Sequence, residues 1–337
     1  MGAGGEARGS MKSLTVVIPT YKDESRIGEC VRSIFSQDYP RELLQVLVVD
    51  DDPDDPGVVI AQSLGCEVVI CPNRSEDLKK PFAINGYARG EIIGLLDSDN
   101  VIPDEAGWLR RMLAVFADPL VWGADTLFYT YRPEDTCVTK YLALLGGDDP
   151  IAAYLGVNDR YCYFTRRWTG ATHRETDRGG YLEVELDARQ VPALGSNGFF
   201  FRKALFGAVP NTPFIHQVFV RDMVAKGHTR IAKVKQGLVH VQGPSFLRFL
   251  GKKIRRMKRR QSGELPVEYD YGFTRMAVIR TGFYVATVVL PIMDAIRGWW
   301  RKPTAAWLLH PPACVCLLFI YVFYSLKGAT PVSRTST

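Results

Sequence analysis

The chain has 337 residues, enough for one large domain or two domains of ordinary size. Hydrophobic residues (47%) and charged residues (23%) occur at the levels of an ordinary globular protein, and the net charge of +6 is concentrated in a basic block between Lys252 and Arg260. The seven cysteines form no Cys-x-x-Cys pair, which indicates a reducing compartment and argues against a zinc site.

The N-terminal stretch is Gly-rich and is expected to be disordered over residues 1–12. It begins Met-Gly, but Glu6 stands where a myristoylation signal requires Ser or Thr. No apolar signal peptide follows.

Short β-branched runs alternate with amphipathic stretches through the first 126 residues, a pattern typical of βαβ units. This alternation predicts an α/β fold with a doubly wound, mainly parallel sheet. Strands are predicted at 14–18, 44–49, 67–70, 91–96 and 121–126, and helices at 27–35, 81–89 and 108–116.

The predicted strand 91–96 ends in two carboxylates, Asp97 and Asp99, separated by Ser98. Ligands of open α/β sheets bind just beyond the carboxyl ends of the strands, so these carboxylates lie where chemistry is expected. Hard oxygen ligands suit Mg²⁺ or Mn²⁺, which in turn bind nucleotide phosphates. Taken alone, the segment would be interpreted as a polar turn, and it is the rest of the chain that favours the metal site.

Four landmarks occur in order: Val-Ile-Pro-Thr-Tyr-Lys, Val-Val-Asp-Asp, Lys-Pro-Phe-Ala-Ile-Asn-Gly-Tyr-Ala-Arg-Gly-Glu and Leu-Leu-Asp-Ser-Asp. Together they resemble glycosyltransferase family 2 over residues 13–245. The resemblance implies an inverting enzyme of the GT-A (Rossmann-like) fold that uses a UDP- or GDP-sugar with Mg²⁺ or Mn²⁺.

The resemblance also implies roles for individual residues. Asp97 and Asp99 would hold the metal ion and the diphosphate, with Asp99 essential for catalysis, and Lys80 would neutralise the diphosphate. For Asp50 and Asp51 the alternative is a solvated loop, and the binding role is favoured for at least one of them. The full set expected to bind the nucleotide sugar is Pro19, Thr20, Tyr21, Asp50, Asp51, Lys80, Asn85, Asp97, Ser98 and Asn197.

The segment 192–202 resembles the Gly-rich turn before the acceptor-side helix of the same family, and Asn197 could bond a sugar hydroxyl or stabilise the turn. Members that use a hydroxyl acceptor usually carry Glu-Asp at the start of that helix, where this chain has Ile215 and His216. His216 could serve as the base, whereas Asp222 lies nearly two turns further on. A phosphate monoester acceptor would need no base, so the missing carboxylate weakly favours a polyprenyl phosphate.

The polar turn 146–150 could either face the active site or cap a helix. Further on, residues 246–272 begin with an amphipathic basic segment, interpreted as a helix lying on an anionic membrane surface rather than on nucleic acid. Residues 305–326 contain no Lys, Arg, Asp or Glu and are long enough to span a bilayer. The apolar stretch 281–293 is shorter and could be a second span, a re-entrant helix or an interfacial helix.

These features predict a membrane-bound glycosyltransferase with a cytoplasmic catalytic domain and a lipid-linked acceptor, either a polyprenyl phosphate or a glycolipid. The alternatives are a processive polysaccharide synthase and a non-catalytic membrane-anchored subunit that binds a sugar nucleotide. The predicted organisation is a GT-A domain at 13–245, an interface segment at 246–272, one or two membrane helices at 273–327 and a flexible tail at 328–337.

Overall fold

The computed structural model describes residues 11–206, 213–262 and 275–328. The chain divides into two compact units. The first, here called the sheet unit, comprises the described residues up to 128 together with those from 172 to 240. The second, the helical unit, comprises residues 129–171 and the described residues from 241 onward. The predictions for residues 1–10, 263–272 and 329–337 lie outside the described residues.

Ten strands form one sheet within the described residues, in the order β3-β2-β1-β4-β9-β6-β10-β8-β7, with β5 paired to β10. Most of these strands are short, and their central members are almost entirely buried. The strands are β1 Leu14–Pro19, β2 Leu44–Asp50, β3 Glu67–Ile70, β4 Ile92–Leu95, β5 Asn100–Val101, β6 Gly123–Thr130, β7 His173–Asp177, β8 Tyr181–Leu186, β9 Phe199–Arg202 and β10 Arg230–His240.

The sheet is mixed, so the prediction of a mainly parallel sheet is wrong. Strands β3, β2, β1 and β4 pair in parallel, as the alternation with helices predicts. Beyond β4, strand β9 pairs antiparallel to both β4 and β6, and β8 pairs antiparallel to β10 and β7. For β7 and β8 the physical reason is the short turn that joins them, which permits only antiparallel pairing.

The helices of the sheet unit are α1 Glu24–Phe35, α2 Pro56–Ser63, α3 Glu76–Gly86, α4 Trp108–Ala114 and α7 His216–Ala225. Helices α1 and α4 present their apolar faces to the sheet: Ile27 and Ile34 join Trp108 and Met112 in the main core cluster. That burial is what the 3.6-residue spacing of apolar side chains predicts.

Helix α3 begins five residues before the predicted start, because Pro81 lies inside the helix rather than at its first residue. A proline in a helix interior leaves the carbonyl four residues earlier without its usual donor. Here the carbonyl of Asp77 accepts a hydrogen bond from the backbone N–H of Phe214 at 2.6 Å. This long-range contact, invisible to local patterns, satisfies the carbonyl that the proline leaves open.

The helical unit contains α5 Cys137–Leu145, α6 Pro150–Leu155, α8 Phe246–Gln261, α9 Arg275–Ala286, α10 Val289–Arg301 and α11 His310–Gly328. Its own apolar cluster includes Tyr141, Phe249, Trp307 and Leu317. Among the described helices, the segment Ala305–Lys327 is long and apolar enough to cross a membrane. Helices α9 and α10 pass the same test only as a pair, which is bent by 82°.

Candidate active site at the carboxyl edge of the sheet

The turn after β4 holds the two carboxylates of the predicted metal site, and Asn100 fixes its shape. The Asp97 backbone N–H donates to Asn100 Oδ1 at 3.1 Å, and the Asn100 backbone N–H donates to the Asp97 carbonyl at 2.9 Å. Asn100 Nδ2 also donates to Asp99 Oδ1 at 3.1 Å. The carboxylates are thus held at the carboxyl end of a buried strand, as predicted.

Three basic side chains approach these carboxylates. Lys80 Nζ lies 3.4 Å from Asp97 Oδ1. Arg26 Nη1 and His240 Nε2 lie 3.3 Å and 3.4 Å from Asp99 Oδ2. Burial on its own would lower the pKa of Lys80, but the carboxylates of Asp97 and Glu76 outweigh burial and raise this pKa, so the amine stays charged.

The donor atoms fit a divalent cation. Asp97 and Asp99 supply hard oxygen donors of the kind that Mg²⁺ and Mn²⁺ prefer, and His240 places an imidazole nitrogen beside Asp99. Within the described ranges, no group of three or more His, Cys, Asp or Glu side chains converges tightly enough to hold an ion by itself. The protein therefore offers a partial ligand set, and a bound diphosphate would have to complete the coordination.

The other end of this edge is organised around two buried groups, Asp50 and Lys79. Asp50 accepts hydrogen bonds from Thr20 Oγ1 at 2.6 Å and from the backbone N–H groups of Asp51 and Asp52 at 2.7 Å and 3.0 Å. With three internal donors and almost no exposure, Asp50 shapes the loop. Asp51 is the more accessible of the pair.

Lys79 ties this loop together. Its Nζ donates to Asp51 Oδ1 at 2.7 Å and to the Thr20 carbonyl, and it lies 4.0 Å from Asp50 Oδ1. Burial raises the pKa of Asp51, but the hydrogen bond and charge of Lys79 outweigh it, so this pKa is lowered overall. The Tyr21 ring, half exposed, lies 5.7 Å from Lys79 Nζ and offers an aromatic face beside the loop.

Ser98, predicted to bind the donor, is buried and donates to Asp23 at the N-terminal end of α1. Pro19 ends β1 directly before Thr20, so the predicted first loop is in place. Asn85 is not brought to this edge. It is exposed in the last turn of α3, and the Tyr87 carbonyl just beyond it accepts from Gln45, near the start of β2.

On the acceptor side, the predicted turn and the predicted base are brought together. His216 is the first residue of α7, and a Cβ built on Gly195 would lie 3.0 Å from its Cβ. Gly195 has φ +104, and Asn197 also adopts a left-handed conformation with φ +46. Asp222 is exposed and lies 3.7 Å from Arg221 on the same helix.

Sequence reasoning missed Lys79, Arg26 and His240. Lys79 and Lys80 are adjacent, and only the packing of α3 shows that one faces Asp51 and the other Asp97. Arg26 lies in the first turn of α1, the helix that follows β1. Its place just beyond the carboxyl end of a strand is a signal that could have identified it as a site residue. His240 ends β10, some 140 residues from Asp99, and no local pattern links the two.

Comparison with known proteins finds similarity to one family in the first part of the chain. A family model described as Glycosyl transferase family 2 matches residues 15–141. Poly(ribitol-phosphate) beta-N-acetylglucosaminyltransferase TarS of Staphylococcus aureus is 32% identical over 100 residues, covering 28% of this chain and 18% of that protein. Beta-monoglucosyldiacylglycerol synthase of Synechocystis is 28% identical over 111 residues, covering 31% of this chain and 23% of that protein. The chain thus matches less than a quarter of the length of these relatives.

Among solved structures, the mannosyltransferase PcManGT from Pyrobaculum calidifontis, in complex with GDP-Man and Mn²⁺, is similar over 95% of this chain and 87% of its own. The TM-score is 0.51 at 17% sequence identity, so the likeness concerns the fold. Residues 15–141 are thus similar to glycosyl transferase family 2, and the chain shares the mixed α/β, GT-A-like fold of this structural neighbour.

Proposed function

We propose that this protein is a membrane-bound, metal-dependent, inverting glycosyltransferase that moves a sugar from a UDP- or GDP-sugar to a lipid-linked acceptor. The observation that carries the proposal is the pair Asp97 and Asp99 at a strand end, with Lys80 3.4 Å from Asp97. A carboxylate pair with a charged amine beside it can bind a diphosphate through a divalent ion. The active site would face the cytoplasm, where nucleotide sugars are available.

The donor would lie along the edge between the two carboxylate clusters. Asp51, fixed by Lys79, can accept hydrogen bonds from a base N–H or a ribose hydroxyl, and Tyr21 can stack against the base. Asp97 and Asp99, with His240 beside them, would hold Mg²⁺ or Mn²⁺. When bound, the ion would neutralise the charge that develops on the leaving diphosphate. Lys80 and Arg26 add positive charge at the same place.

In the transfer, an acceptor oxygen attacks the anomeric carbon from the face opposite the diphosphate. A new C–O bond forms, the bond to the diphosphate oxygen breaks, and the nucleoside diphosphate leaves with the electron pair, so the configuration inverts. A hydroxyl acceptor would pass its proton to His216, which stands at the start of α7 beside the Gly195 turn. A phosphate monoester is already anionic and would need no base.

Three relatives support the donor and the lipid acceptor. PcManGT was solved with GDP-Man and Mn²⁺. The Synechocystis relative is named for a glycolipid product. A Methanococcus voltae relative, 32% identical over 54 residues, is named for a dolichyl-linked substrate. The exposed apolar helices of the helical unit are consistent with an acceptor delivered from a bilayer.

The test is transfer of labelled sugar from a panel of nucleotide sugars into solubilised lipid, with and without Mn²⁺. We expect a labelled lipid product that Asp99→Asn abolishes, with the fold retained by circular dichroism. His216→Ala and the matched control Asp222→Ala on the same helix then separate the acceptors. Loss of transfer in His216→Ala alone indicates a hydroxyl acceptor, and retained transfer in both variants indicates a phosphate acceptor. No product with any donor would refute the proposal in favour of a non-catalytic subunit.

A further inference from the structure

The helical unit carries two segments with the composition of membrane spans, α11 with its preceding turn and the bent pair α9–α10. We infer that neither segment crosses the bilayer: α9, α10 and α11 lie in a single leaflet, and the end of α11 remains on the same side as its start. This inference rests on the membrane binding proposed above.

The first step concerns α11, which contacts polar parts of its own unit along most of its length. At its first residue, His310 bonds Tyr141 Oη through Nδ1 at 2.9 Å and Tyr154 Oη through Nε2 at 2.8 Å. Eleven residues later, Tyr321 donates to Asp149. At Tyr324, the backbone carbonyl accepts from Gln261 Nε2 at 2.6 Å. At 1.5 Å per residue, these contacts span about 21 Å of helix.

The second step concerns what these contacts bring beside α11. Lys253 of α8 is buried, and its Nζ lies 3.0 Å from Asp148 and 3.7 Å from Asp149. Asp149 also caps α6, accepting from the backbone N–H groups of Ile151 and Ala152. The polar turn 146–150 is therefore a helix cap and an ion-pair site within this unit. The ion pair of Lys253 with Asp149 thus lies directly beside Tyr321, inside the segment that a spanning α11 would place in the membrane.

The third step concerns the cost of a spanning arrangement. Helix α8 exposes six basic side chains in its C-terminal two thirds: Lys252, Arg255, Arg256, Lys258, Arg259 and Arg260. Because Gln261 of α8 contacts Tyr324 near the end of α11, a spanning α11 would carry this basic helix into or across the membrane. Each Lys or Arg at the centre of a bilayer costs about 2.5–3.5 kcal/mol on insertion scales. A helix lying in one leaflet avoids that penalty.

The bent pair leads to the same arrangement. Helices α9 and α10 have 12 and 13 residues, or about 18–20 Å each, against a hydrocarbon core of about 30 Å. They meet at Val288, whose φ of +58 is unusual for a β-branched residue. The bend is fixed across its two arms, because Tyr284 of α9 donates to Asp294 of α10 at 2.8 Å.

Both arms also contact α6, because the ring of its Tyr154 lies 5.0 Å from the ring of Tyr284 in α9. Tyr154 of α6 donates to Asp294 at 3.0 Å. Arg301, at the end of α10, donates to the carbonyls of Tyr163 and Phe164 at 2.7 Å and 2.6 Å. An 82° bend with both arms held on one side describes a segment that enters a leaflet and returns.

The surface these three helices leave exposed fits one occupant, a leaflet of an anionic bilayer. The exposed side chains are large and apolar, and exposed tryptophans such as Trp300 prefer the membrane interface. The bases on α8 supply complementary charge for lipid phosphates. The most exposed apolar side chains are Met276, Phe283, Trp300, Leu308, Phe319 and Leu326.

The experiment compares the sidedness of two exposed residues at opposite ends of the apolar segment, Lys302 just before it and Ser325 near the end of α11, in the full-length chain. Ser325→Cys and Lys302→Cys, each in a Cys137→Ser background to remove an exposed native thiol, are labelled with a membrane-impermeant maleimide in intact cells and in inverted membrane vesicles. Labelling of the Cys137→Ser parent is subtracted.

We expect both cysteines to be labelled in the same preparation and protected in the other until detergent is added. Opposite labelling of the two positions would overturn the inference and make α11 a span, while leaving the proposed membrane binding intact. Failure of the chain to float with the vesicles would instead overturn the membrane binding itself, and this inference with it.

Discussion

Replacing Lys79 by Met should lower the free energy of unfolding by about 2–3 kcal/mol at neutral pH. Lys79 is fully buried and donates to Asp51 at 2.7 Å, and charged hydrogen bonds contribute about 1.5–3 kcal/mol each. The expected loss of stability is smaller than the roughly 3–5 kcal/mol typical of breaking a fully buried ion pair. The reason is that Asp51 keeps some solvent contact and that Arg74 Nε lies 3.4 Å from Asp51 Oδ2. Nucleotide affinity should fall as well, since Thr20 and Asp51 lose their shared cation.

The sign of the pH dependence follows from Asp51. Burial raises its pKa, but Lys79 outweighs burial and holds the pKa below the unfolded value of about 3.9. A lowered folded-state pKa contributes stability above the unfolded pKa, and that stability is lost as pH falls through the folded value. The difference in the free energy of unfolding between wild type and Lys79→Met should therefore reach its largest value at pH 7 and become smaller below about pH 4.

Urea denaturation in detergent micelles, followed by tryptophan fluorescence, measures both effects. The matched control is the same substitution in an Asp51→Asn background, where the ion pair is already absent and the additional loss should be under about 1 kcal/mol. Equal losses in the two backgrounds, or a loss that does not change with pH, would refute the account of Lys79 as the partner of Asp51.

Three further outcomes follow from the geometry. His240→Ala should raise the Mn²⁺ concentration needed for half-maximal transfer without changing the melting temperature; an unchanged metal titration would remove His240 from the site. Gly195→Ala should lower stability by more than about 1 kcal/mol in thermal unfolding, because φ is +104 and the new methyl would meet His216; a neutral effect would contradict this geometry. Lys252→Gln should weaken flotation with anionic vesicles in a salt-sensitive way and leave stability unchanged. The same substitution at the buried Lys253 should lower stability and leave flotation unchanged. Identical behaviour of the two variants would contradict the placement of α8.

Local patterns predicted the parallel half of the sheet and the carboxylates at its edge because each depends on short stretches of chain. The strand before Asp97 is apolar and brief, and its end defines the site. The antiparallel pairing of β9 with β4 was not predicted, because β9 reaches β4 from more than 100 residues away along the chain. The distinct roles of Lys79 and Lys80 were equally hidden, since the direction of each side chain depends on how α3 packs.

The basic segment shows the same limit at the other end of the chain. Its sequence alternates apolar and cationic residues, which predicted an amphipathic helix with its apolar face in lipid. The structure confirms the helix, but Phe249 and Leu250 join the apolar cluster of the helical unit. The carboxylates that bind Lys253 lie about 100 residues earlier, where the sequence gives no sign of the pairing.

The helical unit is assembled from two stretches of chain that leave the ribosome at very different times. Tyr141 and His310 are 169 residues apart, and Asp149 and Tyr321 are 172 apart. At about 5–20 residues per second, synthesis of the second partner follows the first by roughly 10–30 s. During that interval the apolar faces of α5 and α6 lack the helices that cover them. A ribosome that stalls before residue 310 would therefore release a chain whose sheet strands are complete but whose residues 129–171 are prone to aggregate.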